Sequence, residues 1–69
     1  MAKLTAESIV PGQRFEQRHG FTWRVARLIH FPGEDVMHVQ LVNERDTSST
    51  KTVSINAVLD RSLFRLIEK

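Results

Sequence analysis

The chain has 69 residues, 41% of them hydrophobic and 26% charged, with no cysteine and a formal net charge of +2. That length makes a single domain spanning 1–69, of globular rather than disordered composition. The lack of cysteine excludes disulfide staples and thiolate metal sites. A chain this short buries only about 60% of its unfolded surface, so self-association is a natural supplement to its core.

Residues 1–10 form a lead-in. Thr5-Ala6-Glu7-Ser8 fits one helical turn capped by Thr5, or a loop. No apolar stretch of signal-peptide or membrane-spanning length occurs, so the expectation is a soluble cytoplasmic protein with no membrane partner. Pro11-Gly12 is a turn that launches a first strand, 13–18, with Phe15 pointing to the core. His19-Gly20 reads as a tight hairpin turn, with glycine supplying a positive φ. A long second strand, 21–31, starts with Phe21, Trp23 and Val25 inward. Its apolar parity changes after Ala26, which predicts a bend or bulge. Pro32-Gly33 closes a hairpin onto a third strand, 36–44, where Met37, Val39 and Leu41 alternate with His38 and Gln40.

Residues 44–50 are a polar loop. A fourth strand, 51–55, turns Val53 and Ile55 inward, and residues 56–60 suit a 3₁₀ turn. Residues 62–67 form a last strand, or a short helix, since so few residues do not fix the period. The predicted core is Phe15, Trp23, Val25, Val39, Leu41, Val53, Ile55 and Leu59, and the fold class is all-β.

Five strands with a 3₁₀ turn before the last is the order of a small SH3-like barrel. Pro11-Gly12-Gln13-Arg14-Phe15 resembles the glycine-led first strand of KOW and Tudor-type members, and Val53-Ser54-Ile55-Asn56-Ala57-Val58-Leu59 resembles their strand–3₁₀–strand ending. The resemblance covers roughly residues 9–67. It implies a five-stranded barrel that binds nucleic acid, recognises peptides or serves in assembly, a choice that fold alone does not make. The chain departs from the family in having no tyrosine, and its five aromatics are expected in the core, so an exposed cage for methylated side chains is not expected. The one enzyme known on such a barrel, the plasmid-type dihydrofolate reductase, carries a Val-Gln-Ile-Tyr pore run. The nearest match here, Val53-Ser54-Ile55-Asn56, lacks both the Gln and the Tyr.

Charge is uneven along the chain. Residues 1–31 hold five basic residues against two acidic, and residues 32–69 hold five against six. Arg14 and Arg24 fall on neighbouring strands with core residues beside them, so both are expected on one solvent face. Arginine's planar fork suits phosphate, and Arg14, Arg18, Arg24 and Arg27, with Lys51, are the candidate nucleic-acid contacts. The plainer alternative is a solvated face with Glu16 pairing the arginines. Trp23 is expected in the core rather than as a stacking platform. His30 and His38 could approach across the hairpin, but two histidines without a carboxylate or thiol make a poor metal site. The Asp46–Thr50 hydroxyl run lacks the glycines of a phosphate cradle.

The expected function is a non-enzymatic binding module for nucleic acid, with no cofactor, no metal and no small-molecule substrate. The alternative is a protein-interaction or assembly module forming a homodimer.

Overall fold

The computed structural model describes residues 5–67. A 3₁₀ turn at Ala6–Ser8 is followed by strands β1 (Arg14–Gln17), β2 (Thr22–Ile29), β3 (His38–Asn43) and β4 (Thr50–Ser54). Helix α1 (Ile55–Leu59) and strand β5 (Phe64–Ile67) complete the chain. All five strands belong to one antiparallel sheet in the order β4-β3-β2-β1-β5. The protein is all-β, and the sheet curls as a half-barrel whose edge strands, β4 and β5, are not hydrogen-bonded to one another.

The curl originates where the apolar parity changes. The β2–β3 register shifts between Val25 and Arg27, so the extra residue, Ala26, is a bulge. Before it Trp23 and Val25 turn inward; after it the inward position passes to Leu28, which pairs with Val39. The first half of β2 also pairs with β1, while the second half pairs with β3 alone.

Ile9, Phe15, Trp23, Val25, Val39, Leu41, Ile55, Val58 and Phe64 form the core. Six of the eight expected core residues are buried, and Val53 and Leu59 are only half-buried. Residues 55–59 form an α-helix rather than a 3₁₀ turn. Ser54 caps it by accepting the Ala57 N–H at 3.2 Å. Ile55 and Val58, three residues apart, lie on one side of this helix and are buried, while Leu59 packs half-buried at the edge of the core. Phe64 meets Phe15 edge-to-face, with ring centroids 6.5 Å apart.

The lead-in is tied down by Gln13, whose Nε2 donates to the Ser8 carbonyl (2.8 Å) and whose Oε1 accepts the Val10 N–H (3.0 Å). This tether carries Ile9 into the core. Residues 64–67 are strand, bound to β1 along its length.

Two expectations at turns and two on the aromatics change. In the β1–β2 turn it is His19, φ 58°, that takes the left-handed conformation. A Cβ at Gly20 would lie 3.2 Å from Gln17 Oε1, a tight contact that the Gln17 side chain would have to relieve by a few tenths of an ångström. Strands 21–31 and 36–44 are shorter than expected, and the intervening loop runs from 30 to 37. Phe21 lies outside β2 and is 53% exposed, and Phe31 is 39% exposed, so the aromatics are not all in the core.

Candidate functional site

Strand pairing sets Arg14 directly across from Arg24, and both face solvent, as alternation requires. What lies between them is Glu44, just beyond β3, anchored by its N–H to the Thr22 carbonyl at 3.0 Å. Arg14 Nε donates to its carboxylate at 2.8 Å and Nη2 at 2.8 Å, a two-pronged pair, and Arg24 Nη1 stands 4.0 Å away. The hydrogen bond from Arg14 holds the Glu44 carboxyl below its ordinary range and raises the guanidinium in turn. The expected partner, Glu16, is instead engaged by Arg65, its register partner on β5. Arg27 Nε donates to Gln40 Oε1 at 2.9 Å on the same convex face. That face therefore carries four arginines against two glutamates, with its two closest cations already sharing a carboxylate.

Lys51 is elsewhere. It pairs with buried Leu41, which turns it to the concave side. Its Nζ sits 4.4 Å from the Trp23 ring centroid and 5.4 Å from that of Phe64, and donates to Gln17 Oε1 at 3.2 Å. Burial pushes its ammonium below the ordinary lysine value. The five candidate contacts thus divide: Arg14, Arg24 and Arg27 share the convex face, Lys51 spans the gap between β4 and β5, and Arg18 lies in the β1–β2 turn.

Arg18 leads to an arrangement that sequence reasoning missed. Its N–H donates to the Leu63 carbonyl at 2.9 Å, which ties the β1–β2 turn to the turn before β5. Between the two turns is a cleft of about 420 Å³. Arg18, His19, Arg61 and Arg65 line it, with Glu16 as the lone carboxylate. Leu63, 46% exposed, and Phe64 give it an apolar wall, and Gln17 and Gly20 complete the side formed by β1.

Asp60, next to Arg61, is not among the residues that line the cleft. Its Oδ1 accepts from Ser62 N–H (2.9 Å) and Oγ–H (2.7 Å), which shapes the turn and holds the carboxyl below its ordinary value. Arg61 and Arg65 lie far from Arg18 in sequence, and only the β1–β5 pairing unites them.

The remaining candidates carry less. Asp46 Oδ1 accepts from Ser48 Oγ–H at 2.6 Å, so that hydroxyl organises its own loop. His38 is in register with Ile29, not His30, and Phe31 packs edge-on against its ring at 4.9 Å. Among the described residues no group of three or more His, Asp or Glu side chains could hold a metal ion. No helix among them is long and apolar enough to cross a membrane. No protein-family model matches the chain, and no curated protein or solved structure is significantly similar to it.

Proposed function

We propose that this chain is a non-enzymatic, cytoplasmic nucleic-acid-binding module on an SH3-like barrel, which engages the phosphate backbone at the cleft between the β1–β2 turn and β5. One observation carries the reading: Arg18, His19, Arg61 and Arg65 converge on one concavity with a single carboxylate, and that carboxylate is already held by Arg65. Guanidinium groups with open donors suit phosphate oxygens. Arg24 and Arg27 extend the positive surface along the convex face. Lys51 has a different part in this reading. It draws β4 toward β1 and β5 across the sheet's open side and so completes the barrel with a side chain instead of strand hydrogen bonds.

The test is a fluorescence titration with labelled oligonucleotides at two salt concentrations. Phosphate contacts release counterions, so affinity falls steeply with salt. Arg18→Ala and Arg61→Ala each flatten the salt slope by about one unit per lost contact, whereas Arg14→Ala, whose guanidinium is committed to Glu44, changes it less. Salt-independent binding, or none at low salt, overturns the proposal.

A second reading, self-assembly into a homodimer, is favoured by the unpaired edges of β4 and β5 and by the exposed apolar side chains of Val10, Phe21, Phe31 and Leu63.

A further inference from the structure

Gln17 is the most constrained polar side chain at the cleft. Its Oε1 lies 3.0 Å from Trp23 Nε1 and 3.2 Å from Lys51 Nζ. An indole N–H and an ammonium are donors only, so the atom they share must be the amide oxygen, and the flip of the amide is settled by chemistry. The amide nitrogen is left as the free end. Among the described residues Nε2 donates to no acceptor, while Gln17 itself lines the cleft. A Cβ at Gly20 would fall 3.2 Å from Oε1 and 3.4 Å from Cδ of Gln17, so a side chain there would press on this amide.

We infer that the cleft seats one nucleotide of an unpaired strand, with Gln17 Nε2 donating to a base carbonyl while Arg18 and Arg61 hold the neighbouring phosphates. The inference rests on the nucleic-acid reading above and specifies its ligand. Three features point to it. The cleft, about 420 Å³, is the size of a small-ligand site and admits one nucleotide but not a stacked duplex. Its apolar wall is the exposed side chain of Leu63 backed by the buried Phe64, and Leu63 offers an apolar contact to a base, which simple phosphate recognition does not require. At Gln17 the free group is a donor, and the guanidinium groups beside it are donors too, with Glu16 engaged by Arg65 and His19 Nε2 accepting from Arg18 Nε at 3.4 Å, so the base presents an acceptor to Gln17. Thymine and uracil present two carbonyl acceptors to such a donor, whereas adenine has no carbonyl and offers only ring nitrogens beside its amino group.

The structure also supplies the readout. Trp23 is the sole tryptophan, and its indole N–H is bonded to the same amide. A ligand drawn onto Nε2 changes the polarisation of Oε1 and hence the indole emission. The experiment titrates the full chain with oligothymidylate, oligoadenylate, an abasic strand of equal length and inorganic polyphosphate, following tryptophan emission and, for labelled strands, anisotropy.

Expected is about tenfold tighter binding of oligothymidylate than of the adenine or abasic strand, the worth of one well-made hydrogen bond with a desolvated partner. Gln17→Glu keeps an oxygen for Trp23 and Lys51 but removes the donor, and should abolish the preference among strands. Gly20→Ala, which narrows access to the amide, should reduce the preference in the same direction. Thermal melts of both variants establish that they fold, and either one alone suffices for the comparison. Equal affinity for all four ligands overturns the nucleotide seat while leaving phosphate recognition intact. Binding of none of them overturns both readings.

Discussion

Glu44 stands between two arginines that the sheet register sets face to face, and it converts a repulsive cross-strand pair into a shared ion pair. Glu44→Gln is expected to lower the melting temperature, with the deficit shrinking as salt screens the exposed guanidinium groups; a melt series in salt checks it. Glu44, Asp46 and Asp60 are all held below their ordinary values of 4.5, 3.8 and 3.8, by hydrogen bonds from Arg14, Ser48 and Ser62. For a carboxyl with a depressed native pKa, stability is fully present above the ordinary value and is lost as pH falls through the native one. From these carboxyls alone, denaturation midpoints should therefore be flat between about pH 5 and neutrality and decline below about pH 4. Ser62→Ala should make part of that decline shallower. Trp23, 6% exposed with its indole N–H satisfied, is the largest side chain of the core. Trp23→Ala should cost about 3–5 kcal/mol, most of what so small a domain has, as measured by urea denaturation.

The short elements depend on single side chains. Helix α1 has five residues, too few to be stable by itself, and it exists because Ser54 caps it while Ile55 and Val58 enter the core. Ser54→Ala should destabilise the protein by about 1 kcal/mol in the same denaturation assay. Strand β4 has only β3 as a neighbour and is held on its other side by the reach of Lys51 to Gln17, Trp23 and Phe64. Two ring faces and one amide oxygen replace only part of the hydration that the ammonium loses, so burial lowers its pKa from the ordinary 10.5. In the window just below 10.5 the unfolded chain then binds more protons than the native one, and stability rises with pH. Lys51→Met should remove that rise while leaving the acid limb unchanged, as read from paired melts across the alkaline range.

As a whole the molecule is a half-barrel with two free edges. An open β edge invites pairing, and each edge here has a partial guard: Lys51 lies in β4 and Arg65 in β5. Both side chains turn to the sheet faces, so neither blocks backbone pairing from the side. The exposed Phe21 and Leu63 add apolar surface near the β1–β2 turn and the turn before β5. Association of two copies is the expected outcome at high micromolar concentration, checked by light scattering. A mass of one chain, 8.0 kDa, under those conditions would show that the half-barrel is sufficient alone. Because Leu63 also walls the cleft, oligonucleotide should compete with dimer formation if association uses that surface.

Local pattern determined a good deal of this protein. Alternation around Phe15, Trp23, Val25, Val39 and Leu41 gave the strands and most of the core, because a side chain's face in a strand follows from its parity. The change of parity at Ala26 announced the bulge for the same reason, and Arg14 and Arg24 were legible as exposed neighbours across a hairpin. Tertiary structure decided the rest. Ile9, Val58 and Phe64 are buried through contacts between distant segments, which no periodicity over a few residues encodes. Glu44 rather than Glu16 neutralises the arginine pair because β3 ends beside β2, while β5 brings Arg65 to Glu16. The cleft itself needed β1 to pair with β5, joining Arg18 to Arg61 and Arg65 across more than forty residues of chain. Sequence supplied the arginines, but their convergence is a property of strand order, which depends on how the whole apolar surface is buried at once.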